Sequence, residues 1–167
     1  MAYFEESCAR CHGSLGSFYG DDFGRKLTPA AMRTVIKEMV EGPARSSLSD
    51  GALDVQTAFH LALARHEPFL AWTSVTSTTL QGEATPEATV TATRLNAADT
   101  TLTLQRDQWR WILPLPDGLS PADIELRATI PATSSTTKTT TTVLRLADRS
   151  FSHGDLATSP TAAGQVR

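Results

Sequence analysis

The stretch "SCARCHG", Ser7 to Gly13, holds both cysteines of the 167-residue chain, three positions apart, with His12 directly behind the second. Three chemistries use thiols at that spacing: half of a zinc site, a redox disulfide, and covalent attachment of haem. A structural zinc site needs four nitrogen or sulfur ligands. No second CxxC or HxxxH pair exists, and His60, His66 and His153 are scattered. A thioredoxin-type pair follows a strand inside a βαβ unit. Here no strand pattern precedes the motif, and glycines follow it. Haem attachment uses the whole of CxxCH. Thiols three residues apart lie on adjacent turns of a helix, so both reach the two vinyl groups of one porphyrin, and the next imidazole swings beneath the iron. This reading makes Cys8 and Cys11 thioether bridges, His12 the axial ligand, and one covalent haem c the cofactor.

Working outward, the first 70 residues carry helical patterning. A helix is expected over 2–11, followed by the loop "HGSLGSFYGDDFGRK" with four glycines. Thr28 is an N-cap with Pro29 at the first helical position. That helix runs to about Glu41 and stops at Gly42-Pro43. Met32, Val35, Ile36, Met39 and Val40 recur at helical spacing and define one apolar face. Ser49 with Asp50 caps a last helix that ends near Arg65, before Pro68, with Leu53, Phe59, His60 and Leu63 along its stripe.

Beyond residue 70 the pattern changes. Thr, Val and Leu alternate at the strand period, and turn residues punctuate. Strands are expected over 73–81, 87–95, 99–106, 108–113, 123–130 and 138–147, a spacing that suggests an antiparallel sandwich. Trp109 and Trp111 alternate, so one faces the core and the other is a half-exposed cover. The Thr-rich run Thr133–Thr142 reads as a hairpin turn plus an edge strand, and the tail 149–167 as small and polar.

Composition narrows the function classes. Apolar residues make up 40% of the chain, enough for a core. A net charge of −3 implies no nucleic-acid partner. No apolar run approaches the ~18 residues of a membrane span. No secretion leader is visible, and Met1 so close to the motif points to a trimmed start.

Residues 1–68 resemble class I cytochrome c domains. The features that carry the resemblance are "CARCHG", "AAMRTVIKEMVEGP" and "LSDGALDVQTAFHLAL". It implies an all-α haem domain whose last helix packs an aromatic, here Phe59, across the first helix. The family also supplies a methionine from the loop before that helix. In this chain the loop is Gly42–Ser49 and contains none. Met39, at the end of the middle helix, is the first choice for the sixth ligand, and His60 the second. His66, Met32, an open site or a ligand from a partner complete the alternatives. Arg25 and Lys26 are either propionate partners or solvated loop charges. Tyr3, Phe4, Phe18, Tyr19 and Phe23 are expected to cover the porphyrin.

Residues 73–147 resemble bacterial immunoglobulin-like domains, through "LQGEATPEATVTAT", "DQWRWILPLPDGL" and "DIELRATI". This implies a spacer or docking module, and it contains no catalytic constellation. The expected fold is therefore two-domain: an all-α cytochrome c domain over 1–68, an all-β immunoglobulin-like sandwich over 73–148, and a tail over 149–167. The expected function is non-enzymatic electron transfer with a redox partner protein or other copies of the chain. The alternatives are a gas sensor or peroxidase-like protein with an open sixth site, and a structural module stapled by its haem. A c-type haem implies a periplasmic or cell-surface location.

Overall fold

The computed structural model describes residues 1–95, 97–132, 139–145 and 150–151. His153, most of the tail expected over 149–167 and residues 133–138 of the Thr-rich run lie outside them. Within them, helices come first: α1 Ala2–Ser7, α2 Ala9–His12, α3 Pro29–Glu41 and α4 Asp50–Arg65. Strands follow: β1 Leu70–Val75, β2 Thr79–Ala84, β3 Thr89–Arg94, β4 Ala97–Leu102, β5 Gln105–Asp107, β6 Arg110–Pro114, β7 Ile124–Ile130, β8 Thr140–Arg145 and β9 Ser150–Phe151. They form two antiparallel sheets, ordered β1-β2-β6-β5 and β4-β3-β7-β8-β9.

Local chemistry explains the helix starts. The Thr28 hydroxyl accepts from the Ala31 N–H at 3.2 Å, and the Ser49 hydroxyl from the Ala52 N–H at 3.3 Å. Each satisfies an amide that the first turn leaves without a helical acceptor. Arg33 then ties α3 to α4, donating to Asp54 at 2.8 Å and to Asp50 at 2.7 Å. His66 closes α4 in the left-handed conformation, and its amide bonds to Leu63 O and Ala62 O.

The expected pair of an all-α domain and a separate all-β domain is not what the chain forms. Among the described residues it is mostly β-sheet, with four short α-helices that do not make an all-α cytochrome domain. The reason lies in where the helices bury their apolar faces. Phe59 of α4 packs edge-on against Phe69, just before β1, at 5.5 Å. Ala71 on β1 is fully buried. Glu83 on β2 accepts from the Met1 ammonium and from the Ala2 N–H, so α1 lies against the same sheet. Phe4, Met32, Phe59, Leu70, Leu80, Trp111, Leu126 and Leu144 belong to one buried cluster running from the helices through both sheets. The expected first helix is also interrupted, at Cys8.

Sheet register assigns the faces. Leu80, Gly82 and Ala84 of β2 face inward, opposite Leu113 and Trp111 of β6. Gln81 and Glu83 take the other face, with Arg110 and Ile112. Trp111 is buried and Trp109 half-buried. Gly82 lies directly across from Trp111, and a Cβ there would come within 2.6 Å of its Cε2 and collide with the Ala71 carbonyl. Gly82→Ala is therefore expected to cost about 1–3 kcal/mol, because the obstruction is backbone and a buried indole. A urea titration checks it, through a lower midpoint at unchanged slope.

On the second sheet, Glu125 accepts from Arg127 at 2.9 Å and from Arg145 at 2.7 Å. Burial pushes its carboxyl pKa up, but the hydrogen bonds from Arg145 and Arg127 and their charges outweigh it and leave the pKa lowered. A depressed carboxylate pKa contributes stability that is present above the unfolded value and lost as pH falls through the folded one. Urea midpoints measured from neutral pH downward are expected to fall less steeply in Glu125→Gln than in the parent below pH ~4.3. Equal slopes would contradict the assignment.

Candidate functional site

The motif forms one irregular helical turn. Cys8 ends α1 with φ −116° and ψ −30°, still right-handed, and its carbonyl accepts from the Cys11 and His12 amides, both at 3.0 Å. Gly13, at φ 76°, ends the turn, and its amide bonds to Ala9 O at 2.8 Å. Cys8, Cys11 and His12 stand at i, i+3 and i+4, which puts all three side chains on one side of the helix. The thiols are free; Cys8 is half-buried and Cys11 exposed. Burial, followed by the neighbouring Cys11, raises the Cys8 pKa. Its thiol therefore stays protonated at neutral pH.

His12 is half-buried and sits among aromatics. Its ring centroid lies 5.0 Å from that of Tyr19 and 6.4 Å from that of Phe4. Tyr19 stacks on Phe23 at 3.9 Å with 10° between planes. The loop reaches back to α4 through a polar pair: the Tyr19 hydroxyl is 3.2 Å from His60 Nε2. His60 Nδ1 is 2.7 Å from Gln56 O. A carbonyl only accepts, so Nδ1 carries the proton and Nε2 accepts from Tyr19. Burial, opposed by the Gln56 bond and aided by the nearby His12, pushes the His60 pKa down to about 4. Burial pushes Tyr19 up to about 12, with Cys8 adding to the shift. Both are neutral at physiological pH.

The other expected site residues are placed as follows. Met32, Ile36 and Val40 form the buried face of α3, whereas Val35 and Met39 are each 42% exposed. The five apolar positions therefore do not share one face: the i, i+4, i+8 row meets the core, and the adjacent row turns outward. Met32 is buried beside Gly24, where an added Cβ would sit 2.6 Å from its terminal methyl. His60 is buried, His66 is exposed at the end of α4, and Arg25 pairs with Asp22 at 3.6 Å on the surface. Phe59 packs against Phe4 at 5.0 Å, joining α4 to α1. Phe18 follows the motif closely, with its amide bonded to His12 O at 2.9 Å, and its side chain is 74% exposed. The structure thus links His12 of the motif to Tyr19, and Tyr19 to His60. The Tyr19–His60 pair escaped the sequence reading, because Tyr19 sits in a glycine-rich loop with no periodic signal.

Among the described residues, no three His, Cys, Asp or Glu side chains are gathered as ligands for a bare metal ion. No protein-family model, curated protein or solved structure matches the chain.

Proposed function

We propose that Cys8 and Cys11 hold one covalent haem c, that His12 is an axial ligand to its iron, and that the protein transfers electrons. The observation that carries this reading is the turn itself: two unpaired thiols and an imidazole on one side of one helical turn. The residues around it fit a porphyrin. Phe18, whose amide bonds to the His12 carbonyl, leaves a large apolar side chain open. A porphyrin is a large apolar surface that needs such cover.

When bound, the haem supplies a one-electron couple, whose potential is set over ~0.8 V by axial ligands, burial and hydrogen bonds. The chain's own residues set those terms. The thiols fix the cofactor against dissociation. Tyr19 and Phe4 confine the His12 ring. The exposed Met39 thioether or the buried His60 imidazole would supply a second ligand to the iron. Met39 needs no desolvated partner broken, and it remains our first choice. His60 would have to exchange its Tyr19 hydrogen bond for iron.

Covalent haem of this kind is attached outside the cytoplasm, which supports a periplasmic or cell-surface location. A redox partner protein, or further copies of the chain, would exchange the electron. Among the described residues, no helix is long and apolar enough to cross a membrane. The pyridine haemochrome spectrum together with voltammetry tests the reading. A c-type haemochrome and a reversible one-electron couple are expected. Bound haem without such a couple, with rapid CO binding by the reduced protein, would favour gas binding instead. In Met39→Ala a lowered potential is expected, because a thioether ligand raises it; an unchanged potential would exclude Met39 as the ligand.

A further inference from the structure

His60 is buried, and both of its ring nitrogens are committed to partners in the chain. Nδ1 donates to the Gln56 carbonyl, one turn back on α4, at 2.7 Å. That bond leaves Nε2 with its lone pair, which takes the Tyr19 hydroxyl at 3.2 Å. Aromatic rings cage the imidazole: Phe4 edge-on at 5.5 Å, Phe59 edge-on at 5.4 Å and Phe23 tilted at 6.0 Å. A polar group satisfied at both ends inside a packed cage is a rigid anchor.

Tyr19 carries that rigidity outward. Its hydroxyl is tied to α4, and its ring stacks on Phe23 at 3.9 Å with 10° between planes. The same ring meets His12, at 5.0 Å between centroids and 35° between planes. Phe4 is a farther neighbour of His12, at 6.4 Å. The backbone of the motif does not fix the plane of the His12 ring, because the torsion that turns an imidazole is broad. Its packing neighbours fix it, and the nearer of these two rings is held from α4.

We propose that His60 is a positioning residue for the haem centre: through the Tyr19 hydroxyl it holds the Tyr19 ring against His12 and so sets the plane of the axial imidazole. His60 supports the ligand and does not itself bind the iron. This assignment rests on the haem reading above. Groups that orient a ligand from behind tune the metal that the ligand holds.

The test compares the haem-loaded parent with Tyr19→Phe, which deletes only the hydroxyl, and with His60→Leu. The readout is the pattern of haem methyl shifts in the proton NMR spectrum of the ferric protein, which follows the plane of the axial imidazole. Both substitutions are expected to change that pattern in the same sense, and the double variant to shift it no further than the larger single one, because the two residues act as a unit. The spin state is expected to stay that of the parent. A hydroxyl that merely stabilised the fold would lower the urea midpoint and leave the methyl pattern alone. A parent-like pattern in Tyr19→Phe would overturn the proposal even if His60→Leu failed to fold. A change of spin state in His60→Leu would make His60 an iron ligand and would also overturn it. A chain whose mass shows no covalent haem overturns the haem reading and this proposal together, whereas a haem-loaded chain indifferent to both substitutions overturns this proposal alone. Circular dichroism confirms that each variant is folded before the comparison is made.

Discussion

A protein carrying both Cys8→Ser and Cys11→Ser is expected to retain no covalent haem. After production where haem maturation operates, its denatured chain should show no haem stain, and acidified organic solvent should extract all colour. The fold should survive, because Cys11 is exposed and Cys8 only half-buried, and such positions usually change stability by less than about 1 kcal/mol. Each single variant is expected to keep one thioether. Its pyridine haemochrome band should move to longer wavelength, since one vinyl group remains conjugated with the porphyrin. His12→Ala separates attachment from ligation: the haem stays covalent while the iron loses its axial imidazole and its low-spin spectrum. A double-serine protein that still holds non-extractable haem would remove the thiols from the account.

The second large effect is expected from Phe4→Ala. Phe4 is fully buried and sits where the motif, the loop and α4 meet. Its ring lies 5.0 Å from Phe59, 5.5 Å from His60, 6.3 Å from Tyr19 and 6.4 Å from His12. Truncation removes the transfer free energy of the ring and leaves a cavity that this aromatic cluster cannot collapse to fill. A loss of about 3–5 kcal/mol is expected. Because Phe4 confines the His12 ring, the loss should be accompanied by a lower yield of haem-loaded protein. Urea unfolding of the haem-free chain measures the first effect separately. A loss below about 1 kcal/mol would show that Phe4 does not organise this region.

Local chemistry made some of the fold legible in the sequence. Thr28-Pro29 and Ser49-Asp50 mark helix starts because their hydroxyls cap amides a few residues away. The tryptophan pair was not legible in this way: residues two apart on a strand share a face, and Trp109 is half-buried because it lies in the turn before β6, not because it takes the opposite face from Trp111. What the sequence left unreadable is tertiary or hydroxyl-built. The stretch expected as a single strand over 73–81 contains the turn between β1 and β2. No glycine or proline marks that turn. Instead the Thr76 hydroxyl accepts from the Thr78 amide at 3.3 Å and the Thr79 amide at 2.9 Å. In a run of β-branched residues this is invisible to periodicity. The docking of the helices onto the first sheet was equally hidden, because an apolar stripe does not say which surface it will meet. That is why a self-contained all-α unit was expected where Phe59 in fact packs toward Phe69.

The candidate site divides in the same way. Cys8, Cys11 and His12 are contiguous in sequence, so their chemistry reads directly from spacing. Tyr19 and His60 are 41 positions apart and meet only through the return of the loop onto α4. Met39 shows the limit of helical spacing: it belongs to an apolar row one step round from the row that is buried.

Intact mass spectrometry under denaturing conditions, on protein made where haem maturation operates, decides whether the haem is bonded to the chain. The polypeptide mass plus one haem is expected, located by peptide mapping to the segment containing Cys8 and Cys11. The bare polypeptide mass, or the mass of a disulfide between those two sulfurs, would contradict it.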